Sequence, residues 1–280
     1  MNKKLVSAIL CGAMVLAAAT PVMADGGVAD GKKIALVGKS AGNAFFEIAA
    51  NSFKETVEAE GGSVDVVYPE AATADAQIKV LDNLISQKPD AICISANDVN
   101  ALQAKLEEAM DAGIKVSSFD SAPNKDSRQV FVNQAGTKQV GQALLDAVLD
   151  ISGGEGQWAV LSATSQAANQ NAWIDAMKSI MEGDDKYSKL ELVEVAYGDD
   201  DAHSCPYFYL WDMQGLGKLS AYATAALING DITGALDETF TAGDLGDYTI
   251  TEADDGGTEI VLGEPLQFNT ENIEEMAKLY

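Results

Sequence analysis

The chain has 280 residues, 47% of them hydrophobic, with 43 acidic against 18 basic side chains and a net charge of −25. So negative a surface repels phosphate backbones and anionic lipid heads, which excludes nucleic acid and membrane surfaces and leaves a neutral ligand. Three cysteines and one histidine exclude a disulfide-stapled mini-domain and a histidine-built metal centre.

The first 24 residues read as an export leader. Lys3 and Lys4 form a short basic start, residues 5–19 are apolar or small, and Val22-Met23-Ala24 offers a small-x-small site with cleavage after Ala24. The apolar run is shorter than the ~20 residues of a bilayer span. Leu10 stands before Cys11 where a lipid-attachment site wants glycine or alanine, which argues against a lipid anchor. The expected location is periplasmic or extracellular.

From residue 33 the chain alternates regularly. KIALV is a short apolar run of the kind buried on both sheet faces, and Phe45, Ala49, Phe53 and Val57 then recur at helical spacing until Gly61-Gly62. A strand at 64–67 precedes a helix carrying Ile78, Leu81 and Ile85, which Pro89 ends. Strand 91–95 is followed by a stripe of Val99, Leu102, Leu106 and Met110, closed by Gly113, and strand 114–119 places Asp120 just past its end. This order predicts an α/β fold with a doubly wound parallel sheet, whose ligands collect beyond the strand ends. A polar loop and a strand at 130–133 follow with no helix between, as in a crossing from one lobe to another.

The pattern then restarts with a helix at 137–150, a strand at 158–161, a stripe of Trp173, Met177, Ile180 and Met181, and a strand at 190–196. Asp199, Asp200 and Asp201 should then cap a helix, yet only HSCP separates Ala202 from the strand-like run 207–211. The second half is therefore thin. Leu216, Leu219, Ala223 and Leu227 mark a last long helix, and the Gly- and Asp-rich tail holds short strands at 248–251 and 260–262.

Gly38-Lys39-Ser40 lacks the upstream glycine of a phosphate-binding loop, so nucleotide binding is rejected. His203 has no second histidine or ligand cluster to work with, and no nucleophile, base or metal set is found, so no enzyme and no cofactor are expected. Phe45-Phe46 either fills the core with both rings or turns one toward the strand ends, where an aromatic face suits the C–H side of a sugar. Asn169-Gln170-Asn171 are either ligand-binding amides or a helix cap with solvated neighbours. Trp173 lies on a core stripe beside them.

The stretches VGKSAGNAFF, SSFDSAPNKDSRQVFVNQ, SATSQAANQNAW and YFYLWDMQGLGKLSAYATAAL resemble, in order, the bacterial sugar-type periplasmic binding proteins, in their rhamnose and autoinducer-2 branch. The resemblance covers most of residues 31–280. It implies a two-lobed, type I fold with three hinge crossings and a ligand in the cleft. It also implies ligand contacts at Lys39, Asp120, Asn169 and Gln170, to which the residue reading adds Phe45, Phe46 and Trp173. Asn169 replaces the acid of autoinducer-2 binders, which tilts the expectation toward rhamnose or another neutral sugar. The implied function is an exported, monomeric receptor that hands a neutral monosaccharide to the membrane permease of an ABC importer. Family members continue for several β/α units between the stretches matching YGDDDA and YFYLW, so the second lobe is expected to be incomplete after Ala202. The expected division is leader 1–24, N-terminal lobe 31–133, shortened C-terminal lobe 134–206, a return strand and helix 207–239, and a lobe or hinge tail 240–280. A sugar-responsive regulator's effector domain is the alternative, as is a truncated receptor that no longer functions.

Overall fold

Short apolar runs followed by amphipathic helices wind the first part of the chain into parallel strands. The structure is a computed structural model and describes residues 26–162, 168–197, 207–269 and 271–276. The expected leader, with Cys11, lies outside the described residues, as does segment 198–206 with its three aspartates, His203 and Cys205.

The first elements are β1 (Lys33–Val37), α1 (Ala44–Ala59), β2 (Ser63–Val67), α2 (Ala74–Gln87), β3 (Ala91–Ile94), α3 (Gln103–Asp111), β4 (Lys115–Phe119) and β5 (Val130–Asn133). Local chemistry sets their ends. The Asn43 side chain accepts from Phe45 N at 3.0 Å to open α1, and Thr73 does the same for α2 from Ala76 N. Lys88 takes φ 53° to close α2 just before Pro89.

The second half adds α4 (Thr137–Ser152), β6 (Gly156–Ser162), α5 (Ala168–Gly183), β7 (Leu190–Tyr197), β8 (Tyr207–Leu210) and α6 (Met213–Asn229). The tail holds β9 (Thr239–Thr241), β10 (Asp247–Thr249), β11 (Thr251–Glu252), β12 (Thr258–Val261), β13 (Leu266–Asn269) and α7 (Ile273–Met276).

The large sheet runs β11-β12-β5-β4-β3-β1-β2, parallel except for β11. Chain order reverses between β1 and β3, the point at which doubly wound sheets open a crevice beyond their strand ends. Two buried layers sandwich the sheet. One joins Leu36, Phe53, Cys93 and Phe119 to Leu216, Leu219 and Leu227, and the other joins Val37, Ile92 and Val116 to Leu81, Leu102 and Leu106. Each fully buried side chain of this size contributes ~1.5–3 kcal/mol. At the α1–α6 crossing a Cβ on Gly217 would run into the Ala49 carbonyl, so glycine is what lets the two helices approach.

The second lobe is smaller. Among the described residues its parallel sheet is the pair β6–β7, covered by α4 and α5 through Leu145, Ile174, Met177, Tyr187 and Leu190. Leu161, Val193 and Tyr197 on these strands stay 56%, 52% and 47% exposed. A parallel sheet ordinarily has both faces covered. This one-sided packing is the incomplete second lobe that the jump after Ala202 implies.

Three expectations change. Val99 lies in a turn before α3 rather than on the helix, because Asp98 Oδ1 accepts from Asn100 N and Ala101 N, both at 2.8 Å. Strand β8, expected to return to the first lobe, pairs antiparallel with β13, which was not anticipated. Strand β12, expected in the second-lobe or hinge tail, pairs with β5 inside the large sheet. The chain thus passes between the large sheet and the rest at 134–136, 211–212 and 262–265.

Candidate functional site

Strands β1, β3 and β4 end side by side, and their next residues build a polar cluster. Asp120, immediately after β4, is 4% exposed and holds φ 58°, a left-handed backbone that a non-glycine residue adopts only at a cost. Its Oδ2 accepts from Ser95 Oγ at 2.7 Å and faces Lys39 Nζ at 3.4 Å, while its Oδ1 faces Asn169 Nδ2 at 3.4 Å. Lys39 follows β1, Ser95 follows β3, and Asn169 opens α5 in the second lobe. One carboxylate therefore ties three strand ends to the opposite lobe.

Behind it, the fully buried Gln77 of α2 clamps those strand ends. Its Nε2 donates to Gly38 O at 3.2 Å and Ser95 O at 2.7 Å, and its Oε1 accepts from Asn97 N at 2.8 Å. Asn97 Nδ2 in turn donates to Lys39 O at 3.1 Å. Gly38 is required here, because a Cβ would collide with the Tyr68 ring.

The structure splits the Phe45-Phe46 pair. Phe46 is 5% exposed in the first-lobe core, edge-on to Phe119 at 6.3 Å, and has no open face toward the cleft. Phe45 is half-buried and starts an aromatic path, 6.0 Å from Trp211, which lies 5.6 Å from Trp173 of α5. Gln170 sits beside Asn169, with its Oε1 accepting from Ser162 Oγ at 2.9 Å. Six of the seven expected residues therefore gather where the lobes meet, and Phe46 lies behind them.

Next to this cluster is a cavity of about 170 Å³. Ala122, Phe131, Asn133, Asn169, Trp173 and Glu259 line it, together with the Arg128–Asp255 pair. The Arg128 guanidinium donates to Pro123 O, pairs with Asp255 Oδ2 at 2.9 Å, and lies over the Phe131 ring at 5.6 Å. Asn133 Nδ2 donates to Glu259 Oε2 at 2.9 Å. Burial pushes the Glu259 carboxyl above its ordinary range, against the Asn133 hydrogen bond and with Asp254 adding to the rise.

Sequence reasoning missed Gln77, Ser95, Asn97, Arg128 and Trp211. Trp211 carries a signal, an aromatic at the end of an apolar run, but reads as one more strand residue. Among the described residues no group of three His, Cys, Asp or Glu side chains comes together for a metal. No helix among them is long and apolar enough to cross a membrane.

Residues 34–205 match the periplasmic binding protein domain family. The chain belongs to that family. Proteins of this family bind solutes rather than transform them. One similar periplasmic binding protein is an ABC transporter solute-binding protein from Clostridium phytofermentas with bound L-rhamnose. It is 44% identical, over 89% of this chain and 99% of that one, with a TM-score of 0.85. A sugar ABC transporter protein from Actinomyces odontolyticus is 31% identical, over 87% of this chain and 97% of that one, with a TM-score of 0.72. LsrB from Clostridium saccharobutylicum, in complex with AI-2, is 20% identical over 87% and 99%, with a TM-score of 0.75, and speaks to the fold alone. The doubly wound first lobe, the smaller second lobe and the crossings between them are the two-lobed type I periplasmic-binding-protein fold.

Proposed function

We propose that this chain is the solute-binding receptor of an ABC sugar importer, taking a neutral monosaccharide of the L-rhamnose kind between its lobes. The observation that carries the reading is the meeting of Lys39, Asp120 and Asn169 across the two lobes beside an aromatic path. The identity of 44% to an L-rhamnose-bound protein over most of its length supports the choice of sugar.

The chemistry suits a polyol. Ser95 fixes one oxygen of Asp120 at 2.7 Å, whereas the Lys39 and Asn169 contacts at 3.4 Å are long enough to be exchanged for sugar hydroxyls. Hydrogen bonds from hydroxyls to a carboxylate contribute ~1.5–3 kcal/mol each. Gln170 supplies an amide at the same edge, and Phe45, Trp173 and Trp211 offer apolar faces to the C–H side of the ring. A ligand held by groups from both lobes binds the closed arrangement better than the open one and so shifts the population toward it. In this reading the leader is cleaved after Ala24, and the receptor works as a monomer outside the cytoplasmic membrane, delivering its sugar to a permease without a cofactor.

Tryptophan fluorescence tests the reading, because Trp173 and Trp211 face each other at 5.6 Å where the lobes meet. L-rhamnose should change the emission saturably, and glucose 6-phosphate, an anion, should not. Absence of a response to L-rhamnose, D-arabinose and other neutral sugars would count against it.

A further inference from the structure

We infer that the cavity beside Asp120 is a second sugar subsite, so that the preferred ligand carries a second ring, as a disaccharide or a glycoside does. The inference rests on the sugar-receptor reading and narrows its ligand class.

Four observations converge. The first is size: the cavity measures about 170 Å³, a little more than the roughly 150 Å³ that accepts a benzene ring, and it is open to solvent on one side, where a ring's hydroxyls can extend. The second is continuity. Asn169 faces Asp120 at 3.4 Å and also lines the cavity, Trp173 faces Trp211 and lines it too, and Ala122 lies two residues past Asp120. Asn169 and Trp173 are therefore shared between the two spaces, so a ring bound at Asp120 has the cavity on its Asn169 side.

The third is the lining itself. Phe131 and Trp173 give the aromatic surface that the C–H side of a pyranose prefers, and Asn133, Asn169, Asp254 and Glu259 give acceptors for its hydroxyls. The fourth is charge. Arg128 is already held by Asp255 at 2.9 Å and by the Pro123 carbonyl, so the cavity keeps an acidic balance from Asp254 and Glu259. That balance disfavours a phosphate or carboxylate and suits a ring that donates hydroxyls.

The experiment is calorimetric titration of the full chain with L-rhamnose and with an α-linked rhamnose disaccharide. It is repeated on Ala172→Leu, which fills the cavity from α5, and on Asp254→Ala, which removes an exposed acceptor. The disaccharide should bind at least fivefold more tightly than L-rhamnose. Ala172→Leu should abolish that preference and Asp254→Ala should reduce it, both with L-rhamnose affinity kept. If Ala172→Leu fails to fold in a thermal melt, Asp254→Ala decides alone. L-rhamnose binding without any disaccharide preference, or a preference that both folded variants retain, overturns the inference and leaves the receptor reading standing. If neither sugar binds, the receptor reading fails and the subsite with it.

Discussion

Replacing Gln77 by leucine keeps the volume of a fully buried side chain but removes its donor and acceptor. Three backbone groups lose their partner: the Gly38 carbonyl, the Ser95 carbonyl and the Asn97 N–H, bonded at 3.2, 2.7 and 2.8 Å. A buried polar group left unpaired costs ~1–3 kcal/mol, so three at the low end give about 3 kcal/mol. With a urea m-value of ~1–3 kcal/mol per molar, the unfolding midpoint should fall by about 1–3 M. The same change frees the strand ends that carry Lys39 and, through Ser95, Asp120, so L-rhamnose affinity should fall in the fraction that stays folded. Urea unfolding followed by circular dichroism, with calorimetry below the transition, reads both quantities. A loss under about 1 kcal/mol together with unchanged affinity would show that the strand ends are held without this clamp.

Phe46→Ala should cost ~3–5 kcal/mol as a core truncation, whereas Phe45→Ala should cost less and weaken sugar binding instead; thermal melts with and without L-rhamnose separate the two, and equal apo destabilisation would contradict the split. The Cys93 thiol, pushed up to about 12 by burial against an ordinary 9.0, should resist a thiol reagent at pH 8 in native buffer and react in urea. Because the folded thiol keeps its proton longer than the unfolded one, its contribution to stability is full below pH 9.0 and is lost as the pH rises toward about 12; fast native labelling at pH 8 would contradict the burial. Limited proteolysis should cut the second lobe first, since Leu161, Val193 and Tyr197 lie open on a two-stranded sheet; cleavage beginning in β1–β5 would contradict that order.

The sequence made the strands legible where apolar runs were bounded by turn residues. Lys33–Val37 and Val130–Asn133 form as the pattern predicts, because a continuous apolar run can only be buried on both sheet faces. The helical stripe of α3 was extended one turn too far, since Val99 fits the spacing but Asp98 turns the backbone instead. Run 207–211 read correctly as a strand, but its partner Leu266–Asn269 did not, because pairing depends on distant chain that a local pattern cannot register. At the site, Asp120 was visible as an acid just past a strand end. Gln77 was not, because a single glutamine on an amphipathic helix reads as solvated until the fold buries it. The Phe45-Phe46 ambiguity needed the helix's rotation against the sheet, which only packing sets.

Calorimetric titration of the purified chain with L-rhamnose, set beside Asp120→Ala, tests the central claim most directly. Asp120 Oδ2 is held by Ser95 at 2.7 Å while Oδ1 faces Asn169 of the other lobe at 3.4 Å, and loss of even one charge-assisted bond of ~1.5–3 kcal/mol lowers affinity about tenfold or more. The account predicts one sugar per chain for the unaltered protein and at least that loss for Asp120→Ala, with the circular dichroism spectrum unchanged. No heat with L-rhamnose or any neutral sugar, or the same affinity with and without the Asp120 carboxylate, would contradict it.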